Sequence, residues 1–460
     1  MNKNSRTLSK SRYKLSLECP TKLYYTGKNE YADQKNQDQF LMALAEGGFQ
    51  VGELAKYYYP GGHDIETIDF QQALHETNKL LKQENVIIYE PAIQYNNFVI
   101  RVDILVKKGN KIELIEVKAK SFSSKNDFFA KRGGYIDKSW RPYLYDISFQ
   151  TMVAQKANPI WNITPYLMLA DKNKKTSVDG LNQLFIVEEN KNGYKSVKVN
   201  NKIAPNLLGD KILTAIEVSD IVQQIWEGRD IAPKKKTIED EKEFLYRAEE
   251  YATFYNQNKK FPVTLGLKCK NCEFKNEGQP QLKSGFDECW KSKYPNFNFE
   301  EDHIFGIWNF RKSPELINQG VIYQKDIYSD SDMVKLLNPR QFLQVEKIVT
   351  KNIEEDIKPE LFEEMNNWTF PLHFIDFETS MMAIPFLKNR KPYEQIAFQF
   401  SCHTLYENGE IKHHEWISKD RGEFPNYKFV TALKGVLDKD EGTIFKYSPH
   451  ENTVLRQIQR

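Results

Sequence analysis

Apolar residues recur at helical spacing through Leu8–Tyr25, Phe40–Tyr59 and Phe70–Glu84, and the period then changes to two. Pro20 divides the first stretch into two helices, with Ser9 or Ser11 as a fitting cap, and Pro60-Gly61-Gly62 ends the second. From Tyr89 to Lys120 two apolar runs of strand type meet across Lys108-Gly109-Asn110, which predicts a hairpin. In its second strand, alternation puts Leu114, Glu116 and Lys118 on one face and Ile115, Val117 and Ala119 on the other. Beyond it the pattern predicts a helix over Phe149–Lys156, a strand over Ile163–Ala170, a polar linker over Gly228–Lys236 and a charged helix over Asp240–Asn258. Leu372–Thr379 and Gln395–His403 read as strands, and Thr443–Leu455 as a strand running into a helix. There is no internal repeat and no low-complexity segment.

Three polar residues break the apolar pattern of the hairpin in a way that calls for chemistry. An isolated Glu-x-Lys on a strand is ordinarily a solvated ion pair. Asp103, however, falls inside Ile100–Val106, a run apolar enough to be buried on both sides, where a carboxylate is costly without a partner or a metal. Hydrolysis of a phosphodiester needs carboxylates to hold Mg2+ or Mn2+, a bound water acidified enough to attack, and a cation beside the developing charge. Asp103, Glu116 and Lys118 supply those groups.

With this arrangement the chain resembles the RecB-like PD-(D/E)XK nucleases, which include the AddB nuclease domain and the CRISPR-adaptation nucleases. The resemblance implies an α/β fold with a restriction-endonuclease-like mixed sheet flanked by helices. It also implies Asp103 and Glu116 as metal ligands, Lys118 beside the attacking water, and Gln150, in Asp146–Met152, near metal and substrate. Glu46–Glu53 looks like the helix motif in which that family carries a metal-binding histidine, but Gly52 falls at the histidine's place. The ligand is then absent or supplied by Glu53. Glu90 matches a further acid of the family, either an additional ligand or one half of an ion pair.

The cysteines are Cys19, Cys269, Cys272, Cys289 and Cys402. Met1–Arg12 is polar and basic with no apolar core, and no run approaches the ~18 apolar residues of a membrane span. A reducing, cytoplasmic setting follows, in which Cys269-x-x-Cys272 reads as a metal clamp rather than a disulfide, with Cys289 as a third thiolate. One N-terminal cysteine joined to three after the nuclease core is similar to the iron–sulfur RecB-like nucleases, which implies a 4Fe-4S cluster on Cys19, Cys269, Cys272 and Cys289. Ligand chemistry alone suits Zn2+ equally well. Cys402 reads as a core thiol.

A second centre begins at Leu372. Asp376 and Glu378 stand at i and i+2 on a strand, hence on one face, as a two-metal site requires. The segment resembles the first motif of DnaQ-like DEDD exonucleases, and Thr443–Leu455 the second, with Glu451 presenting the acid. The sequence reaches Arg460 before a third motif, so an incomplete ribonuclease-H-like (DnaQ-type) domain is expected.

Length fits several domains: a nuclease domain over 1–295, a helical spacer over 296–366 and the DnaQ-like part over 367–460. With 65 Lys and Arg against 63 Asp and Glu, the net charge of +2 names no partner, so a nucleic-acid surface has to be local. Basic runs occur at Asn2–Lys14 and Pro233–Lys236, and runs of this kind are ordinarily solvated. The expectation is a metal-dependent deoxyribonuclease acting on single strands or free ends, in DNA repair or mobile-element defence. A non-catalytic DNA-binding scaffold and a structural zinc protein are the alternatives.

Overall fold

The computed structural model describes residues 6–34, 39–189, 195–199, 203–298 and 300–459. The chain is mixed α/β, with several sheets and helices packed on their faces. Its largest sheet has six strands in the order Leu213–Glu217, Asn162–Asp171, Lys111–Phe122, Ile104–Lys108, Asn85–Tyr89 and His63–Asp64. Lys111–Phe122 runs parallel to Asn162–Asp171 and antiparallel to Ile104–Lys108. Alternation along this central strand divides the core in two. Leu114 packs with Phe149 and Val153 of the helix Arg141–Ala157, whereas Ile115 and Val117 pack with Val51 and Leu54 of the helix Gln39–Tyr57.

The hairpin turns at Gly109, whose φ of 58° suits a residue without Cβ, and Lys108 pairs with Lys111 across it. The strand expected before that turn is divided into three, Ala92–Tyr95, Phe98–Arg101 and Ile104–Lys108. The first two belong to a separate small sheet that also takes Leu8–Ser9, which pairs parallel to Phe98–Arg101. Asp103 therefore lies at the bend between two sheets and not within a doubly buried strand. Its side chain keeps 22% of its exposure, because a bend opens one side to solvent.

Near the N-terminus the two helices expected around Pro20 are Lys10–Glu18 and Lys22–Tyr25, and Ser9 caps the first by accepting from the Arg12 N–H. The helix carrying Gln150 starts at Arg141, eight residues before the expected Phe149, with Pro142 in its first turn. A separate hydrophobic cluster runs from Phe286 and Trp290 through Ile304 and Ile317 to Val345, so the cysteine-bearing helix Gly285–Lys293 packs on the short helices that follow it.

Residues 372–459 build a four-stranded sheet in the order Ile411–Ile417, Gln395–Leu405, Leu372–Met381 and Ile444–Lys446. The first three strands are antiparallel and the last is parallel to Leu372–Met381. Helices Asn426–Leu437 and His450–Gln459 cover one face through Phe429, Leu433 and Val454 against Ile375, Phe377 and Phe400. Cys402 is buried in this cluster. The connection between Leu372–Met381 and Gln395–Leu405 reaches across to the large sheet. Ala383 and Ile384 join the core cluster of Val117, and Asn389 and Arg390 exchange backbone hydrogen bonds of 2.7 and 3.0 Å with Thr176.

Candidate metal and phosphodiester site

Glu116 is wholly buried, and its carboxylate is the hub of the site. Gln150 Nε2 donates to Glu116 Oε2 at 2.6 Å, Lys10 Nζ lies 3.1 Å from both oxygens, and Lys118 ion-pairs with Oε1. Asp103 joins from the bend, its Oδ2 accepting from the Val117 N–H at 2.6 Å and its Oδ1 from Lys10 at 3.3 Å. Alternation explains the grouping: Glu116 and Lys118 project to the face covered by the helix of Gln150, and Asp103 sits across the sheet bend from the backbone of Val117. The structure thus brings Asp103, Glu116, Lys118 and Gln150 together.

Three further residues of the centre were not expected. Asp146 is buried one helical turn before Gln150, which donates to its Oδ1 at 3.1 Å. Its Oδ2 lies 3.2 Å from Lys14 Nζ and 3.3 Å from Lys118 Nζ. Lys10 and Lys14 come from one face of the helix Lys10–Glu18, four residues apart. Both belong to the basic run expected to be solvated, of which Asn2–Ser5 lie outside the described residues. An aspartate four residues from Gln150 in an otherwise apolar stretch was a usable signal. The lysines gave none, because their partners lie some 90 to 130 positions away.

Electrostatics follow the geometry. Burial would lower the pKa of Lys118, but the charges of Glu116, Asp146 and Asp103 outweigh it and hold the group above the ordinary lysine range. Lys10 is raised well above its usual value by the same contest, with Asp103 and Glu116 the strongest opposing charges. Glu90 stands at the rim in a left-handed backbone conformation, φ 54°, its N–H bonded to the Asp103 carbonyl at 3.1 Å. Desolvation, and next the charge of Asp103, push its carboxyl up to about 7. Its closest cation is Arg101, at 3.9 Å. Glu53 pairs with Lys56, at 3.1 Å, which also holds Asp64 at 2.5 Å. A Cβ on Gly52 would meet nothing within 4 Å, so no packing demand fixes glycine there.

Cys19, Cys269, Cys272 and Cys289 line a single cavity of about 30 Å3 that Tyr25 and Trp290 help to close. Cys19 caps the end of the helix Lys10–Glu18, Cys269 and Cys272 sit on the turn around Leu267–Asn271, and Cys289 lies in Gly285–Lys293. All are free thiols. Burial pushes Cys269 up to about 11 and Cys272 up to about 12, and raises Cys289, whose Sγ is 3.3 Å from the Tyr25 hydroxyl. Among the described residues no three His, Cys, Asp or Glu side chains form a group ready to hold a metal ion. In the acidic centre Lys10 stands between the donors, and the four cysteines share a cavity wall without closing into such a group.

In the smaller sheet Asp376 and Glu378 share the exposed face of their strand with Phe374. Glu451 opens the helix His450–Gln459 and is buried, with Oε2 lacking a hydrogen-bond partner. Thr379 Oγ1 and His450 Nε2, 3.3 Å apart, mark where that helix meets the end of the strand.

Among the described residues no helix is long and apolar enough to cross a membrane. Residues 373–460 match a family described as a domain of unknown function, DUF2779. No curated protein matches the chain.

Proposed function

We propose that the chain is a metal-dependent nuclease of the RecB-like PD-(D/E)XK type that hydrolyses DNA phosphodiester bonds at ends or in single strands. The observation that carries this reading is the convergence of Asp103, Glu116, Lys118 and Gln150, drawn from a bend, a strand and a helix, around one buried carboxylate. The donors suit a hard cation. Asp103 and Glu116 present carboxylate oxygens, and Gln150 Oε1 is buried without a hydrogen-bond partner, fitting a metal-bound water. A Mg2+ or Mn2+ ion held there would acidify a bound water and offset charge on the phosphate.

The chain's own residues divide the remaining work. Lys118 is drawn in by Glu116 and Asp146 yet keeps 20% of its side chain exposed, so its ammonium stands between the buried acids and arriving substrate. From there it neutralises charge that develops on the phosphate and orients the attacking water. Gln150 is a positioning residue, with one amide group fixing both Glu116 and Asp146. Asp146 holds Lys118 in place.

The four cysteines, which line one cavity, suit a 4Fe-4S cluster, with Zn2+ as the alternative, because thiolate sulfurs ligate either and a bound metal would favour loss of the thiol protons. The sheet over 372–446 supports a DnaQ-like reading for residues 367–460: its parallel fourth strand brings the helix of Glu451 to the end of the strand bearing Asp376 and Glu378. The deciding experiment incubates the protein with labelled single- and double-stranded DNA, with and without Mn2+. Metal-dependent cleavage is expected. Binding without cleavage would leave a DNA-binding scaffold, and a colourless protein after anaerobic purification would leave zinc in place of the cluster.

A further inference from the structure

Lys10 occupies the position that the proposed reading gives to a metal. Its ammonium is 3.3 Å from Asp103 Oδ1 and 3.1 Å from each oxygen of Glu116, so it shares both carboxylates as a divalent ion would. The surrounding charges already balance: Asp103, Glu116 and Asp146 face Lys10, Lys14 and Lys118, and outside them Glu90 has Arg101. Glu116 and Asp146 have no exposed surface, so a surplus of two positive charges beside them would be poorly screened. A divalent cation therefore cannot simply be added. It has to take the oxygens that Lys10 holds.

We propose that Lys10 is a built-in competitor of the divalent metal: it holds Asp103 and Glu116 together in the metal-free protein and leaves them when the metal binds. The inference rests on the metal-dependent nuclease reading. Lys10 is the first residue of its helix, directly after the Ser9 cap, and 21% of its side chain remains exposed. Its head can thus turn outward without unwinding a turn of backbone. Once displaced, the ammonium stands at the mouth of a site expecting a phosphodiester, where an anionic partner lowers the cost of its release. Metal uptake is accordingly weak in the free protein and stronger with DNA present.

The sign of one measurement separates this role from a purely structural one. A lysine that merely supports the site would weaken metal binding when removed, whereas a competitor would strengthen it. Mn2+ is titrated into the full chain without DNA, and free Mn2+ is read by electron paramagnetic resonance for the parent, Lys10→Met and Lys10→Gln. The glutamine keeps hydrogen bonds to the carboxylates, so it guards against loss of folding, which thermal melting checks. The expected result is Mn2+ binding at least ~10-fold tighter in a folded Lys10 variant, the effect of removing about 1.4 kcal/mol of cation competition. Lys14→Met, at a lysine whose ion-pair partner among the described residues is Asp146, should shift affinity less. Unchanged or weaker Mn2+ binding in both Lys10 variants, with a parent that binds Mn2+ and cleaves DNA, overturns the competitor role alone. No Mn2+ uptake by the parent or by either Lys10 variant, together with no Mn2+-dependent cleavage of DNA, removes the metal reading and this inference with it.

Discussion

Glu116 has no exposed surface, and each of its oxygens is engaged by charged or amide donors. A carboxylate so placed is stable only as part of its set, because removing one partner strands a buried charge. Conservative changes are therefore the informative ones. Asp103→Asn and Lys118→Met are each expected to lower the rate of DNA cleavage at least ~100-fold while circular dichroism shows a folded protein, since each deletes a charge acting at the reacting phosphate. Parent-like cleavage by Asp103→Asn would refute the assignment.

Glu90 gives a test with a defined sign. Its folded-state pKa of about 7 lies above the ordinary carboxylate value, so the folded protein binds the extra proton between those two values. Stability from this group is present at low pH and is lost as pH rises toward and past 7. Glu90→Gln, which mimics the protonated form, is expected to raise the melting temperature at pH 8 in the presence of a chelator and to change it little at pH 5. A melting temperature equally shifted at both values would remove the burial argument.

At the scale of elements, the helix Lys10–Glu18 carries more than its length suggests. It delivers Lys10 and Lys14 to the acidic centre and ends on Cys19 at the cysteine cavity. Changing Cys19 to Ser is expected to lower bound iron, or zinc, together with the melting temperature, because a metal closed by Cys19 and the 269–289 thiols ties distant chain segments. Unchanged metal content after Cys19→Ser would exclude it from the ligand set.

This helix also shows what could be read in advance. Its start at Ser9 and its stop before Pro20 were visible as capping and breaking residues, and the strand of Glu116 was visible as strict alternation. The bend at Asp103 was not, since Val102 and Ile104 are as apolar as a continuous strand would be. What splits the run there is the allocation of neighbouring strands to two sheets, a choice made by tertiary packing. Glu116 and Lys118 were legible through strand alternation and Asp103 as a carboxylate within an apolar run, whereas Gln150 was expected only from the family resemblance. Lys10 and Lys14 were not, because only the folded chain brings an N-terminal helix over the sheet.

Across the whole molecule the two acidic centres differ in setting. Glu116 is enclosed with cations and an amide around it, whereas Asp376 and Glu378 lie on an exposed sheet face and Glu451 is buried without a hydrogen-bond donor on Oε2. Catalytic electrostatics depend on preorganised surroundings. Asp376→Ala is thus expected to leave DNA cleavage essentially unchanged and Glu116→Ala to abolish it. The reverse pattern would transfer the activity to the smaller sheet.

The connection that carries Ala383 and Ile384 into the large sheet's core sets how the chain would come apart. Every residue from Lys351 to Asn367 is exposed, so a protease meets open backbone there before it meets any in the two sheets. Brief trypsin treatment is expected to nick the chain near Lys351 or Lys358. The fragments should nonetheless elute together from a sizing column, because residues 383–390 remain seated against Thr176 and Val117. Only denaturant would part them. Fragments that separate in native buffer would show that this docking is too weak to hold the halves once the covalent tether is cut.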